Sequence, residues 1–488
     1  MHRTFRPLLV SLALLPAGAW RAGAELPPAN VCPPVALAIP RDGKDAKVDA
    51  EAGGQFREGM VLTEKALMLL RPLLPDEIWQ HRDTFFYEGM RMLLGGCHRR
   101  YPASVSYEEA TQKYAGQAKV DDAGNLEGYV AGLPFPPESI DPAAPDAAVR
   151  WAWNLELRNR GSGPVGKFRL TDFPSRVGAI ETYRGSFFLV QTGHRADLAA
   201  TDHALPEVQD TQWVAGGRFD EPTNVRHLAW RQIRPVETQE EFEKADDTFV
   251  YVPTMRKPRR AATSWINGVF MPRYTVQADG GGSPIPFGAS EYGVSGSISP
   301  NSGLSSAMSE NMRRGFTGLA LRPNAFEWKL LGERDVIAPL NGESLGYPQD
   351  PERNFGPSGL SVATDRWDVR HVVVIEGRAR SERDDARRLT VYVDWQTQQP
   401  LYWISRRADG LLQDVGILVH RYSGDRVDYP AWPDGSRALV FDPVAAVFYT
   451  AEEGGTGWRR ESYDMVSVPL PDQDVRGMTS TAALSQGR

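Results

Sequence analysis

The sequence has few of the residues that usually bind metal ions in proteins. It contains two cysteines, Cys32 and Cys97, and eight histidines among 488 residues. No two histidines are three or four positions apart, the spacing that would place both on one face of a helix, and the cysteines form no cluster. The sequence therefore predicts neither a metal site nor a cofactor.

Long apolar runs are also absent. The one apolar stretch near the N-terminus is shorter than the roughly 20 residues that span a membrane. It follows a basic start and ends before Ala22–Gly23–Ala24, a small-residue cleavage motif. This order is typical of a secretory signal peptide. We expect residues 1–24 to be removed near Ala24, leaving an exported chain without a transmembrane segment; an uncleaved N-terminal anchor is the alternative.

Export changes the interpretation of the two cysteines. In an oxidising compartment, an even number of cysteines favours disulfide pairing. We therefore expect Cys32 and Cys97 to form a disulfide that ties down the N-terminal segment, with two unpaired buried thiols as the alternative.

Acidic residues outnumber basic ones, giving a formal net charge of −7, yet four basic residues are concentrated in "TMRKPRR". One isolated basic cluster on an acidic, exported chain does not predict nucleic-acid binding. The cluster follows a strand-like segment, so it could form the charged connection of a hairpin. Alternatively, Arg256, Arg259 and Arg260 could form a rim that faces an anionic ligand or partner, because a guanidinium binds carboxylate or phosphate through two hydrogen bonds.

Two catalytic or cofactor patterns occur, and both lie in the wrong context. "GSGPVG" at 161–166 matches a dinucleotide-binding loop, but "KFRLTDF" after it reads as a strand where that loop needs a helix. "GESLG" at 342–346 surrounds Ser344 as a nucleophile elbow does, but "YPQDPERNFGP" after it contains three prolines and no helical pattern. We therefore assign no catalytic residue.

Apolar spacing divides the rest of the chain into a helical part and a longer strand-rich part. Helical spacing occurs within about 55–120, including a predicted helix from Asp76 to Gly95. "VRWAWNLELR" at 149–158 alternates and favours a strand, although Gly161 leaves a helix open. Successive strands and turns follow, and Leu389–Trp395 with Leu401–Ser405 gives the clearest hairpin.

These patterns predict an α+β fold that is mainly antiparallel β. We expect one large domain over 25–488, with a β-rich part over about 149–470. A Gly/Ser-rich loop at about 279–318 is long enough to be a lid, a binding loop or a disordered segment.

Several segments together resemble a known family of exported Gram-negative proteins, domain of unknown function 1329. They include "HRDTFFYEGMRMLLG", "WNLELRNRG", "DDTFVYVPTMRKPRRA" and "RWDVRHVVVIEG". That family is similar in fold to the lipoprotein-localisation factors LolA and LolB, whose incomplete β-barrel is covered by N-terminal and lid helices and holds acyl chains. The resemblance implies a periplasmic location. It also implies a transporter of the resistance-nodulation-division class or an outer-membrane protein as a partner.

Three functions follow as hypotheses. The first is a periplasmic carrier or accessory protein that binds a hydrophobic or amphiphilic, lipid-like molecule. The second is a non-catalytic adaptor of a transporter complex, and the third is a hydrolase of lipid or glycan. For the carrier, the strand-borne aromatic residues are the candidates for a ligand cavity, with plain core packing as the alternative role of each: Trp230, Phe249, Tyr251, Trp328, Trp367, Tyr392 and Trp403.

Overall fold

The computed structural model describes residues 29–32, 56–173, 180–198, 203–205, 208, 210–253, 257–263, 268–272, 312–342, 355–381, 388–432, 435–452 and 455–484. The predicted signal peptide, Ser344, Arg256 and most of the Gly/Ser-rich loop lie outside these residues. Within them, no helix combines the length and the apolarity needed to cross a bilayer.

The described chain is dominated by β-strands. In chain order they are β1 (Val61–Leu62), β2 (Met92–Cys97), β3 (Lys119–Val120), β4 (Leu126–Glu127), β5 (Val165–Phe173), β6 (Glu181–Gln191), β7 (Thr211–Glu221), β8 (Ala229–Pro235), β9 (Asp246–Val252), β10 (Lys257–Thr263), β11 (Val269–Pro272), β12 (Met312–Gly315), β13 (Phe326–Ala338), β14 (Arg366–Ala379), β15 (Arg388–Asp394), β16 (Pro400–Arg406), β17 (Leu412–Tyr422), β18 (Phe441–Glu452) and β19 (Gly455–Val466).

Helices are short by comparison. They are α1 (Leu67–Leu70), α2 (Asp76–Gln80), α3 (Arg82–Phe85), α4 (Val105–Lys113), α5 (Ala147–Glu156), α6 (Asp472–Thr479) and α7 (Thr481–Leu484).

Fifteen strands form one sheet. Its order is β1-β2-β14-β15-β16-β17-β18-β19-β5-β6-β7-β8-β9-β10, and β13 pairs with the other edge of β14. The neighbours are antiparallel except β2, which runs parallel to the start of β14. Among the described strands, β10 pairs only with β9 and β13 only with β14, so the sheet is open. This mainly antiparallel sheet that does not close into a barrel confirms the predicted fold class.

Helix α5 corrects the strand predicted for residues 149–158. Eight of its ten residues are buried, including Trp151 and Trp153. A helix buried around most of its circumference shows no single apolar stripe, so its sequence can alternate like a strand. The indole of Trp153 donates to the carbonyl of Gly124 at 3.0 Å, which satisfies its only polar group.

The predicted helix from Asp76 to Gly95 is also wrong. Helix α2 ends at Gln80 and α3 at Phe85, and the chain then turns through Gly89 at φ +87°. That left-handed backbone, which suits glycine, interrupts a right-handed helix. The following residues form β2. In contrast, α4, the β15–β16 hairpin and the strand after "GSGPVG" agree with the sequence prediction.

The basic segment is a strand where the sequence predicted a connection. Lys257–Thr263 pairs antiparallel with β9, with Arg259 opposite Val250 and Arg260 opposite Phe249. Proline has no backbone N–H to donate to a neighbouring strand. Pro258 fits this position because, among the described strands, β10 pairs only with β9 and therefore lies at an edge of the sheet.

Both faces of the sheet are covered. One face packs against α5 and against residues 316–326, which insert Phe316 beside Phe187 with ring centroids 3.7 Å apart. The opposite face carries the N-terminal residues 56–101 over β14–β18 and α6 over β6 and β7. The face under α5 is therefore filled by side chains of the chain itself.

Candidate functional site

The seven aromatic residues proposed for a cavity do not lie together. Trp230 is in the core of β5–β8, while Trp403 and Trp328 pack around α5. Trp367 and Tyr392 belong to the core on the opposite face. Phe249 and Tyr251 are half-buried and alternate with the fully buried Val250 on β9. The structure thus divides them among separate clusters, and their role as ligand contacts stays a prediction.

The proposed charged rim is described only in part. Arg260 is exposed and forms an ion pair with Asp247 on the neighbouring strand. Arg259 is paired with Val250 in the backbone register of the two strands, and Arg256 lies outside the described residues. A ligand-binding role for these arginines likewise stays a prediction.

An open apolar groove lies elsewhere, between the start of α4, the end of β6 and the residues that precede and begin α6. Its volume is about 830 Å³. Six of the apolar residues that line it define what we call the apolar groove, which charged residues such as Glu109, Arg437 and Asp472 also line: Val190, Leu205, Trp432, Leu439, Leu470 and Val475.

Local packing explains how these walls form. Val190 on β6 packs with Val214 on β7, and Leu470 and Val475 lie over this pair. Trp432 packs against Ala438 and Val468 in a tight turn, where its amide donates to the Ser436 carbonyl at 2.9 Å. The groove therefore has one wall on the main sheet and another on a connection between strands.

A small polar pocket of about 40 Å³ adjoins this groove. The two share the lining residues Ser104, Ser106, Arg195, Asp197 and Trp432. The end of α5 and the segment that follows it supply the charged floor of this pocket with Glu156, Arg158 and Arg160. The combination gives an apolar volume with a polar end, which matches the two parts of an amphiphile.

Two of the polar groups in this pocket are already neutralised. The Arg195 guanidinium donates to Asp197 through two of its three nitrogens, with Nε at 2.6 Å. Burial lowers the pKa of His194 to about 4, although its hydrogen bond to the Val130 carbonyl acts in the opposite direction. His194 is therefore uncharged at neutral pH.

The floor of the polar pocket belongs to a buried network of charges. Glu156 accepts from Arg160 at 3.1 Å, from Arg234 at 3.4 Å and from the Leu321 amide at 2.7 Å. Arg234 also binds Asp246 at 2.9 Å. These contacts join α5, β8 and β9 in one arrangement.

Arg158 differs from its neighbours because its hydrogen bonds go to neutral oxygens. It donates to the side-chain oxygen of Gln399 at 2.9 Å and to the carbonyls of Leu155 and Gly318, each at 2.5 Å. Burial lowers the pKa of Arg158, and the positive charge of Arg160 lowers it further.

Sequence reasoning did not assign these arginines a role. The segment "LELRNR" showed three charges at every second position, which resembles a solvated strand. Only the burial of Arg158 and Arg160 after α5 distinguishes this segment from a solvated strand, and the spacing of charges in the sequence does not reveal burial.

Comparison with known proteins gives a family match. A model described as "Protein of unknown function (DUF1329)" matches residues 80–268 and 299–417. No curated protein matches the chain.

Three solved structures are similar to this chain at low identity. A candidate outer membrane lipoprotein-sorting domain from Vibrio parahaemolyticus is 11% identical, with 70% of this chain and 100% of that chain covered and a TM-score of 0.38. A DUF1329 family protein from Desulfovibrio piger is 11% identical, with 69% and 95% covered and a TM-score of 0.36. A LolA superfamily protein from Nitrosomonas europaea is 12% identical, with 67% and 94% covered and a TM-score of 0.30. At these TM-scores, the likeness carries no inference about ligand or activity.

Proposed function

Since the chain belongs to the DUF1329 family of proteins of unknown function, its function rests on its own site, and we propose that it binds a hydrophobic or amphiphilic, lipid-like molecule without a covalent bond. In this proposal it serves as a periplasmic carrier or accessory protein in envelope transport. A membrane transporter or an outer-membrane protein would deliver or receive the molecule.

The observation that carries this proposal is the apolar groove. Its volume of about 830 Å³ falls within the roughly 300–1,000 Å³ of typical ligand sites. Transfer of apolar surface out of water is favourable by about 25 cal/mol per Å². A chain of methylene groups lying between Leu205, Leu470 and Val475 would gain this free energy. Without a ligand, the same apolar walls contact water, which is unfavourable.

A lipophilic fluorescent probe, N-phenyl-1-naphthylamine, tests the proposal with the full exported chain. Leu205→Asp and Val475→Asp place a charge on two half-buried walls of the groove, so we expect each to weaken probe binding at least about tenfold, since an unpaired charge in an apolar site is costly. Val427→Asp is the matched control, because Val427 is fully exposed. Equal binding by all three variants and the parent would refute the groove as the site.

A solvent extract of the protein purified from its native periplasm gives an independent test. Mass spectrometry should find an apolar molecule at stoichiometric amount. An extract without one, together with no probe binding, would contradict the carrier function.

A further inference from the structure

We propose that the polar pocket and the adjoining end of the groove form a carboxylate subsite, so that the ligand of the apolar groove is a long-chain carboxylic acid whose head group binds Arg160 and Ser162. This inference rests on the proposed function, because it names the chemical class of the molecule that the groove would hold.

Two buried polar groups, one on the polar pocket and one on the adjoining groove, have no hydrogen-bond partner in the described part of the chain. They are Nε of Arg160, which lines the polar pocket, and the hydroxyl of Ser162, which lines the groove. Arg160 is 8% exposed and Ser162 is 5% exposed. A buried polar group left without a partner costs about 1–3 kcal/mol, and a ligand oxygen would remove that cost.

Charge at the floor of the pocket also favours an anion. Among the described residues, the ion pairs of this network join Arg160 and Arg234 to two carboxylates, Glu156 and Asp246, and Arg158 lies beside them as a third arginine. Both carboxylates already accept from arginine, and Asp197 on the pocket wall is held by Arg195. The hydrogen bonds of Arg158 end on neutral oxygens. A negatively charged group would balance this excess.

Local backbone geometry holds Arg160 and Ser162 in place. The Gly163 amide donates to the Arg160 carbonyl at 2.8 Å, which closes a turn around Gly161 at φ +54°. A Cβ on Gly161 would lie 2.6 Å from the Ser467 carbonyl oxygen, so glycine is needed there. The turn therefore fixes the backbone from which the two side chains extend.

The size of the pocket selects the anion. One water-sized position takes about 10–15 Å³, so a volume of about 40 Å³ provides roughly three such positions. A carboxylate has three heavy atoms, whereas a phosphodiester with its glycerol is much larger. Guanidinium groups bind carboxylates with strong, charge-assisted hydrogen bonds.

The test compares dodecanoate with dodecanol, which has the same chain and no charge. We expect the parent protein at pH 8 to bind dodecanoate about tenfold to a hundredfold more tightly, the range expected for hydrogen bonds to a charged group. Ser162→Ala and Arg160→Gln should each weaken dodecanoate binding about tenfold and leave dodecanol binding unchanged. Ser186→Ala, on an exposed position of β6, is the matched control and should change neither.

The outcomes separate this inference from the proposed function. Equal affinity for the acid and the alcohol, unaffected by either variant, would overturn the carboxylate subsite and leave the lipid-binding groove standing. Tighter binding of dodecyl phosphate than of dodecanoate would overturn the choice of carboxylate. Failure of all three ligands and of the fluorescent probe would overturn both proposals. Unchanged dodecanol binding also shows that a variant is folded.

Discussion

The guanidinium of Arg234 lies 2.9 Å from the carboxylate of Asp246, and both side chains are almost completely excluded from solvent. Arg234 also lies over the ring of Trp213, at 4.4 Å from its centroid, and donates to the Leu321 carbonyl at 2.7 Å. The pair therefore connects β8 and β9 to the segment that covers the sheet.

Removal of one partner should leave the other charge buried. We expect Asp246→Ala to lower the free energy of unfolding by about 3–5 kcal/mol, the cost found for a broken buried ion pair. The adjacent Asp247 forms an ion pair with the exposed Arg260, so Asp247→Ala should cost about 0–1 kcal/mol. Urea unfolding measures the loss in free energy of unfolding for each variant. Similar losses for Asp246→Ala and Asp247→Ala would show that burial does not determine the strength of the ion pair between Arg234 and Asp246.

Phe316 provides a test of the filled face of the sheet. Its ring stacks on Phe187 and contacts Phe168, Trp230 and Tyr463. Phe316→Ala should cost about 3–5 kcal/mol because the rigid neighbours would leave a cavity. Thermal and urea unfolding measure the loss, and Leu411→Ala, at a side chain that is 61% exposed, serves as the control. A loss below about 1 kcal/mol would mean that this core collapses around the missing ring.

Asp442 should make stability depend on pH. Burial raises the pKa of its carboxyl to about 7, although hydrogen bonds from Ser467 and Tyr429 and the charge of Arg426 favour the ionised form. Because the folded pKa lies above the unfolded value of 3.8, the folded state favours the proton. The contribution of the protonated Asp442 carboxyl to the free energy of unfolding is therefore complete below about pH 4 and is lost as the pH rises through 7.

We therefore expect Asp442→Asn to melt at a higher temperature than the parent at pH 8 and at a similar temperature near pH 4. Calorimetry across this range measures the difference between variant and parent in the free energy of unfolding, which should be roughly 4 kcal/mol at most. The exposed Asp428→Asn should show no such dependence. A parent and a variant with parallel pH profiles would contradict the buried, proton-binding state of Asp442.

The disulfide between Cys32 and Cys97 agrees with the expectation from the sequence. It closes a loop with a sequence separation of 65, and the Asn30 amide donates to the Cys97 carbonyl beside it at 2.8 Å. The double variant Cys32→Ser/Cys97→Ser should lose about 4 kcal/mol through the entropy of the unfolded chain. Urea unfolding with and without reductant checks this: the parent should become less stable on reduction, and the double variant should not respond.

The local sequence pattern was sufficient to predict secondary structure where residues that are close in the sequence are also neighbours in the sheet. Leu389–Trp395 and Leu401–Ser405 alternate around a short loop, and they form the β15–β16 hairpin. The same rule failed at α5, because burial on nearly all sides removed the helical stripe. It failed again at β2, whose parallel partner begins at Arg366, far along the chain.

The site was less predictable than the fold because distant segments build it. Val190, Leu205, Trp432 and Val475 meet only after the sheet has formed, and none belongs to a recognisable motif. Arg160 and Ser162 were visible as polar residues, but the burial of Nε of Arg160 and of the Ser162 hydroxyl without a partner among the described residues depends on the folded chain around them.

The pairing of β5 with β19 also determines when the large sheet can form during synthesis of the chain. Val165 pairs with Val466, so the two halves of the sheet join through residues that are far apart in the chain. A ribosome releases the N-terminal half first, and β5 then has an unpaired edge until almost the whole protein has been synthesised. Such high contact order slows folding, and an open edge invites association with other chains. During that interval the chain is more exposed to association with other chains than its finished sheet suggests.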